Sequence, residues 1–456
     1  MRLQPEIQTK GAECTMRNNL WRKWVPALVA AIMLLGALIV PLLVPLRVLP
    51  ALRPSNSASR GMPQATPTGP PAPASNPTPG SQRSGAVAPA ESDLPRETRA
   101  LWVSRWDFKE HQDVDAIVDK AAQAHINVIL FQVRGQADAL YPSSIEPWSA
   151  DLTGTLGKDP GYDPLARMIE RAHAKGIEVH AWVNTYPAWM GKQPPAEDVQ
   201  PTPMYHEFNA RYGNDWLQWK GDKPMLLGDS DYLWANPAHP AVQDRIVAVC
   251  KDLMSRYELD GLHLDYIRYA ERELAQDPVS NRAYAEAKVQ NPGLTREDWQ
   301  RAQVTALVQR VRDEAVSLRP GAHLTTTAWP VYKDRWGWYK GQDGYNARYQ
   351  DSQGWAREGI VDAIMPMLYG QTATAYRDRF EALAQDYVQG AQPGGVVTGI
   401  ATEYDSFEEI AARIETARRL GARGQALFSF RGLEEHNYWQ ALGEGPYAEP
   451  AQPNWG

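Results

Sequence analysis

The chain reads as an α/β protein whose core is a (β/α)8 barrel, and three observations point there. Eight short β-rich runs alternate with amphipathic helical stretches from Arg96 onward, no Gly-rich dinucleotide fingerprint accompanies them, and the longest insertions follow the runs at their C-terminal ends. The 456 residues are enough for one barrel of roughly 250 residues or more with appendages at its N-terminal side.

The runs are Ala100–Ser104, Val128–Val133, Glu178–Val183, Gly261–Asp265, His323–Ala328, Ala363–Met367, Val396–Ala401 and Gln425–Phe430. Between them the 3.6-residue period predicts helices at Asp115–His125, Asp163–Lys175, Ala241–Tyr257, Thr295–Leu318, Tyr376–Gln389 and Ser406–Leu420. Insertions fall at Tyr141–Pro160, Tyr186–Trp234, Tyr266–Asn291 and Pro330–Tyr349. In a barrel these lie at the catalytic mouth.

Before the barrel, residues 24–46 form an apolar run without a charge, preceded by Arg17, Arg22 and Lys23. That length crosses the ~30 Å hydrocarbon layer, and the basic flank keeps residues 1–23 in the cytoplasm. A transmembrane anchor is therefore expected, with a cleaved signal peptide as the alternative; either way the barrel is exported. Residues 47–95 are rich in Pro, Ser, Ala, Thr and Gly with no hydrophobic period, which predicts a disordered linker. Residues 96–456 are the barrel domain.

Composition narrows the function. A net charge of -7 offers no electrostatic footprint for nucleic acid. The 17 Trp and 20 Tyr stand against only 7 Phe, a bias toward flat rings with a polar edge that suit the faces of sugars as well as a barrel core. The insertions carry Tyr141, Trp148, Tyr186, Trp189, Trp216, Trp219, Trp234, Trp336 and Trp338, read as an aromatic wall along a groove. Cys14 and Cys250 flank the apolar run, so no disulfide is expected.

The densest local signal is Asp260-Gly-Leu-His-Leu-Asp265. Residues two apart share a strand face, so Gly261, His263 and Asp265 point to the barrel axis and the leucines to the helices. The same alternation turns His180, Trp182 and Asn184 inward on strand three, and Gln132 and Arg134 inward on strand two. Together with Arg268 and with Trp329 and Tyr369, which follow strands five and six, these make the expected substrate-binding set. Asp260, at the opposite end of its strand, is read as structural.

Glycosidic cleavage needs one protonated and one ionised carboxyl group. Asp265 suits the ionised role, with Arg268, Arg134 or His263 able to lower its pKa. Glu403, just past strand seven and across the mouth, is the first candidate for proton donor; Asp107, Asp138 and Asp334 are its substitutes. No His or Cys pair has zinc spacing, and there is no serine-hydrolase elbow or phosphate loop. Neither a metal nor a cofactor is expected.

Arg99-Ala-Leu-Trp-Val, Asn127-Val-Ile-Leu-Phe-Gln-Val-Arg134, Gly176-Ile-Glu-Val-His-Ala-Trp-Val-Asn184 and Asp260-Gly-Leu-His-Leu-Asp265 together resemble the glycosyl-hydrolase-like 10 family, as do Trp234-Ala-Asn-Pro237 and Asp362-Ala-Ile-Met-Pro-Met-Leu-Tyr369. The resemblance runs in order from Arg96 to Trp439. It implies a (β/α)8 fold and cleavage of peptidoglycan glycan strands, especially those stripped of stem peptides, with Asp265 at the matching acidic position. A common family form has a second Asp next, where this chain has Tyr266. That departure leaves open a barrel that binds glycan without cleaving it, and a lytic transglycosylase is a third reading.

Overall fold

The computed structural model describes residues 94–456, apart from residues 274 and 371–373 and the side chains of residues 374–378. The anchor expected at residues 24–46 and nearly all of the linker lie outside the described residues. Among the described residues, no helix is long and apolar enough to cross a membrane.

Eight strands form a closed parallel barrel: β1 (Thr98–Val103), β2 (Val128–Arg134), β3 (Glu178–Asn184), β4 (Gly261–Asp265), β5 (His323–Ala328), β6 (Ala363–Pro366), β7 (Gly395–Ala401) and β8 (Gly424–Phe428). Each pairs with its sequence neighbours, and β8 closes on β1 through Thr98 opposite Gly424. The expected strand centres all hold, and β4 and β5 match residue for residue.

Alternation creates two separate apolar layers. Leu101, Ile129, Phe131, Val179, Ala181, Leu262, Leu264 and Ile364 point outward into the core beneath the helices. Ala100, Trp102, Leu130, Trp182, Met365, Val397 and Ala426 fill the barrel interior as a cluster of their own. At about 25 cal/mol per Å2 of apolar surface removed from water, both layers favour one register, since a one-residue slip would exchange them.

The outer layer contains α1 (His111–Gln123), α2 (Pro164–His173), α3 (Pro240–Arg256), α4 (Arg296–Glu314), α5 (Ser352–Arg357), α6 (Thr374–Gly390), α7 (Phe407–Arg419) and α8 (Phe430–His436). Local chemistry starts several of them: Asp163 accepts from Leu165 and Ala166 N–H with Pro164 at the first helical position, and Thr295 accepts from Asp298 N–H. The insertions are more ordered than loops. They hold helices at Met204–Tyr212 and Pro278–Gln290 and two small antiparallel strand pairs, Pro187–Trp189 with Leu233–Trp234 and Trp219–Lys220 with Lys223–Pro224.

The inward facing of Arg134 and the substrate-binding place of His180 need correction. The β2–β3 register shifts between Gln132 and Arg134, so Arg134 lies opposite the outward-facing Val183. Its guanidinium, 1 % exposed, forks onto Glu146 at 2.8 Å and onto the carbonyls of Asn184 and Thr185. Arg134 therefore braces the end of β3 from outside. His180 does face the axis, but low in the barrel, stacked on Trp455 at 5.1 Å, while the Trp455 indole donates to Glu178 at 2.9 Å. The C-terminal segment closes the bottom there, and His180 belongs to that closure.

Cys250 is buried on α3, where desolvation pushes its thiol up to about 12. It packs as a small apolar group.

Breaking the enclosed Arg134–Glu146 pair strands a buried charge, so Glu146→Gln should lower the unfolding free energy by about 3 kcal/mol in urea titration. Asp115→Asn, which removes a surface pair with Arg167, should leave it nearly unchanged. Equal losses for the two variants would contradict this reading of β2.

Candidate active site

Asp265 ends β4 beside Asn184 of β3, at the mouth of the barrel. It is 7 % exposed, and its Oδ1 accepts from Thr327 Oγ1 and from the Tyr266 N–H, both at 2.6 Å. Tyr266 makes the second bond by adopting φ +51°, a left-handed conformation that costs a non-glycine residue about 1 kcal/mol. Strain of that kind persists where surrounding packing enforces it. Both bonds fall on Oδ1, and the Trp182 side chain adds a further donor contact to the carboxyl group.

Burial is the largest influence on this carboxyl and pushes its pKa above the ordinary aspartate value; Thr327, the Tyr266 N–H, the Arg268 charge and the Trp182 side chain only partly oppose it. The expectation that neighbouring cations hold it down is thus corrected: Arg134 faces away, His263 is neutral, and desolvation outweighs Arg268.

His263 lies one layer below. The Trp102 indole donates to its Nε2 at 3.1 Å, which assigns the proton to Nδ1, and Nδ1 donates to Thr325 Oγ1 at 2.9 Å. Full burial and the nearby His180 push its pKa well below the usual histidine value. His263 is a neutral strut between β1 and β5. Gly261 below it is required by space: a Cβ there would sit 2.6 Å from the His323 carbonyl and 2.7 Å from the His180 ring.

The strut carries an aromatic stack. Trp102 meets Tyr369 and Phe428 edge-on at 6.3 and 6.0 Å, and Tyr369 lies flat on Phe428 at 5.1 Å. Burial and then the Asp265 charge raise the Tyr369 hydroxyl well above the normal tyrosine range, so it stays protonated and can donate. On the β3 side, Trp182 donates to Asn184 Oδ1 at 2.9 Å and Asn184 donates to the Gly135 carbonyl at 3.0 Å. Gln132 accepts from the Arg105 N–H at 2.9 Å. These three hold the loops that follow β1 and β2.

Arg268 is placed as expected, close to Asp265, with its guanidinium 5.2 Å from the Trp234 and Tyr266 rings and 4.8 Å from Trp329. Glu403 stands exposed on the rim after β7, where local desolvation and then Glu435 push its carboxyl up. A raised pKa is what a proton donor needs. Its substitutes are engaged elsewhere. Asp107 accepts from Ser104 and pairs with Arg431; Asp334 gathers the N–H groups of Trp338, Tyr339 and Gly341; Asp138 gathers those of Gly135 and Gln136.

One residue escaped the sequence reading. Arg105, two positions past β1, is fully buried, pairs with Asp151 at 3.0 Å and packs on Gly135, where a Cβ would fall 1.8 Å from its Nη1. Burial works against its charge, but Tyr232, Asp138 and Asp151 keep it protonated. Its only sequence signal is a cation between Ser104 and Trp106 at a strand end. The aromatic wall is also narrower than expected: Tyr141, Tyr186 and Trp216 are core residues, whereas Trp106 is 48 % exposed and Trp336 and Trp338 stack at 4.8 Å on the β5 loop. Among the described residues, no three His, Cys, Asp or Glu side chains gather into a metal site.

Comparison with known proteins agrees with this architecture. A model of the family described as glycosyl hydrolase-like 10 matches residues 97–406. The chain is 29% identical over 304 residues to glycosyl hydrolase DigH of Escherichia coli (strain K12), a match that covers 64% of each chain. It is 29% identical over 311 residues to glycosyl hydrolase YngK of Bacillus subtilis (strain 168), over 64% of this chain and 58% of that one. The match thus spans less than two thirds of the length of these curated relatives. The catalytic domain of a β-amylase from Paenibacillus polymyxa superposes with a TM-score of 0.55 at 10% identity, over 78% of this chain and 100% of that one, which shows the barrel fold.

Because folding must desolvate the Asp265 carboxylate, its raised pKa means that the ionised form opposes folding. That cost is absent at low pH and grows as pH rises from the unfolded value, about 3.9, through the folded one. Asp265→Asn should therefore melt at the same or a higher temperature than the wild type at neutral pH by calorimetry. A marked loss would show the carboxylate to be a structural brace.

Proposed function

Since the chain belongs to the glycosyl hydrolase-like 10 family, we propose that it hydrolyses O-glycosidic bonds of a polysaccharide outside the cytoplasm, with peptidoglycan glycan strands lacking stem peptides as the substrate. The observation that carries this reading is the Asp265 carboxyl: nearly enclosed, fixed through Oδ1 by two donors, at the mouth of a parallel barrel lined by aromatic rings.

Asp265 in its ionised form is the nucleophile, or the base that activates water, and Glu403 protonates the leaving oxygen. Fixing one carboxylate oxygen with two donors orients the other without spending substrate-binding energy on it. Tyr369 remains a hydroxyl donor toward the reacting centre, and Trp182, Asn184 and Trp329 frame the sugar. Withdrawal from water strengthens each of these electrostatic contacts. The names of DigH and YngK as glycosyl hydrolases favour turnover over binding alone.

The extracytoplasmic setting rests on the sequence of residues 1–95. A charge-free apolar run after a basic flank is the pattern of a membrane anchor or an export signal, and the Pro-rich stretch would let the barrel range away from the bilayer. An anchored enzyme of this kind meets cell-wall glycan without needing a soluble partner.

Incubation of the full chain with stem-peptide-free glycan strands should release new reducing ends, and Asp265→Asn should lower the rate by roughly 10²-fold or more while the protein stays folded. Anhydro product ends would assign a lytic transglycosylase instead, and bound strands without product a binding barrel. The reacting Asp265 must be ionised, so activity should fall on the acid side as pH drops through its raised pKa. Thr327→Val removes a donor that favours the carboxylate, and the acid limb should then move to higher pH; an unmoved limb would exclude Asp265 as the group that titrates.

A further inference from the structure

Burying an arginine without a carboxylate costs free energy, and most enclosed arginines of this barrel avoid that cost. Arg134 pairs with Glu146, Arg105 with Asp151 and Arg413 with Glu409. Two half-buried arginines at the mouth have no such partner. Arg268 and Arg348 bring their guanidinium carbons to 4.8 and 4.5 Å from the same ring, that of Trp329. The opposite charges they feel are Asp265 for Arg268 and Glu271 for Arg348, neither in ion-pair contact, and Glu271 already pairs with Lys220 at 3.2 Å.

Their hydrogen-bonding capacity is also unspent. Among the described residues, Arg268 donates only a long bond, Nη1 to the Tyr269 carbonyl at 3.4 Å. Arg348 donates Nη1 to the Ala270 carbonyl, and its Nε is buried with no partner. A guanidinium carries five N–H donors in a planar fork that matches a carboxylate. Aromatic faces offset part of the desolvation, but they hold the planes in place and leave the edges of the forks unused.

The proximity of two like charges adds a second signal. Burial and then the neighbouring Arg268 lower the Arg348 pKa to about 10, and burial lowers that of Arg268. An anion within reach of both would relieve both penalties.

We propose that Arg268 and Arg348, set against Trp329 beside Asp265, form a subsite for a carboxylate carried by the sugar substrate. This rests on the glycosidase reading and narrows its substrate class to acidic glycans. Two sources share the chemistry: a lactyl ether whose acid is free because no peptide is attached, and a uronic acid ring. Neutral polysaccharides would leave both forks empty.

The test separates binding from turnover by measuring affinity calorimetrically on the full-length Asp265→Asn protein. Peptide-free glycan oligosaccharides with free lactyl carboxylates should bind at least ten-fold more tightly than the same oligosaccharides converted to amides. Oligouronates of equal length form the second acidic arm, and tight binding of either acidic ligand supports the site. Arg348→Gln in the same background should bring the acid-to-amide ratio close to one. Arg268→Lys, which keeps the charge and removes the fork, should reduce the ratio only in part. Equal binding of acid and amide forms, or a ratio that neither arginine variant changes, would overturn the proposal. Hydrolysis by the wild type without carboxylate preference would sink this subsite alone; carboxylate preference without hydrolysis would sink the glycosidase reading alone.

Discussion

A carboxyl group shut away from water at the end of a strand is costly, and the barrel spends its most ordered contacts on keeping one there. Asp265 is fixed by a hydroxyl from β5 and by the N–H of the next residue, whose left-handed turn exists only because the packing enforces it. These donors favour the charged form, and burial disfavours it more strongly. The balance leaves a group held in one geometry and easily persuaded to change its charge, which is the condition a reacting acid requires.

The interior below serves that position. Trp102 and Thr325 clamp a neutral His263 from opposite sides, so the middle of the barrel contains a polar link with no charge to solvate. Trp102 in turn meets the Tyr369–Phe428 stack edge-on. Farther down, Trp455 closes the bottom against His180 and His323. From outside, Arg134 holds the carbonyls at the end of β3, next to the strand that bears Asp265. Rigidity at the mouth thus derives in large part from side chains below and outside it.

Much of this was legible in the sequence wherever periodicity governs structure. The alternation of Gly261, His263 and Asp265 against Leu262 and Leu264 fixed the facing of β4, because opposite faces meet different solvents. Alternation failed at Arg134, where one extra residue in the ladder reversed the facing, and a bulge has no period to reveal it. It misjudged depth at His180, since facing the axis does not tell how high in the barrel a residue sits. Position on an insertion proved a weak guide to exposure: Tyr186 and Trp216 are loop residues by sequence yet lie in the core, because the insertion after β3 packs as a small structure of its own. Arg105 and the shared Trp329 ring of Arg268 and Arg348 depend on how neighbouring loops pack at the mouth, a relation that only three-dimensional structure supplies.

The account stands on the Asp265 carboxyl being both desolvated and the group whose charge governs the reaction. The most direct measurement is its site-specific titration by carbon-13 NMR in the folded barrel, compared with the pH profile of glycan cleavage on the same preparation. A midpoint above that of an ordinary aspartate, coincident with the acid limb of cleavage, is the result expected. A midpoint at or below the ordinary value, or one unrelated to the onset of cleavage, would contradict it.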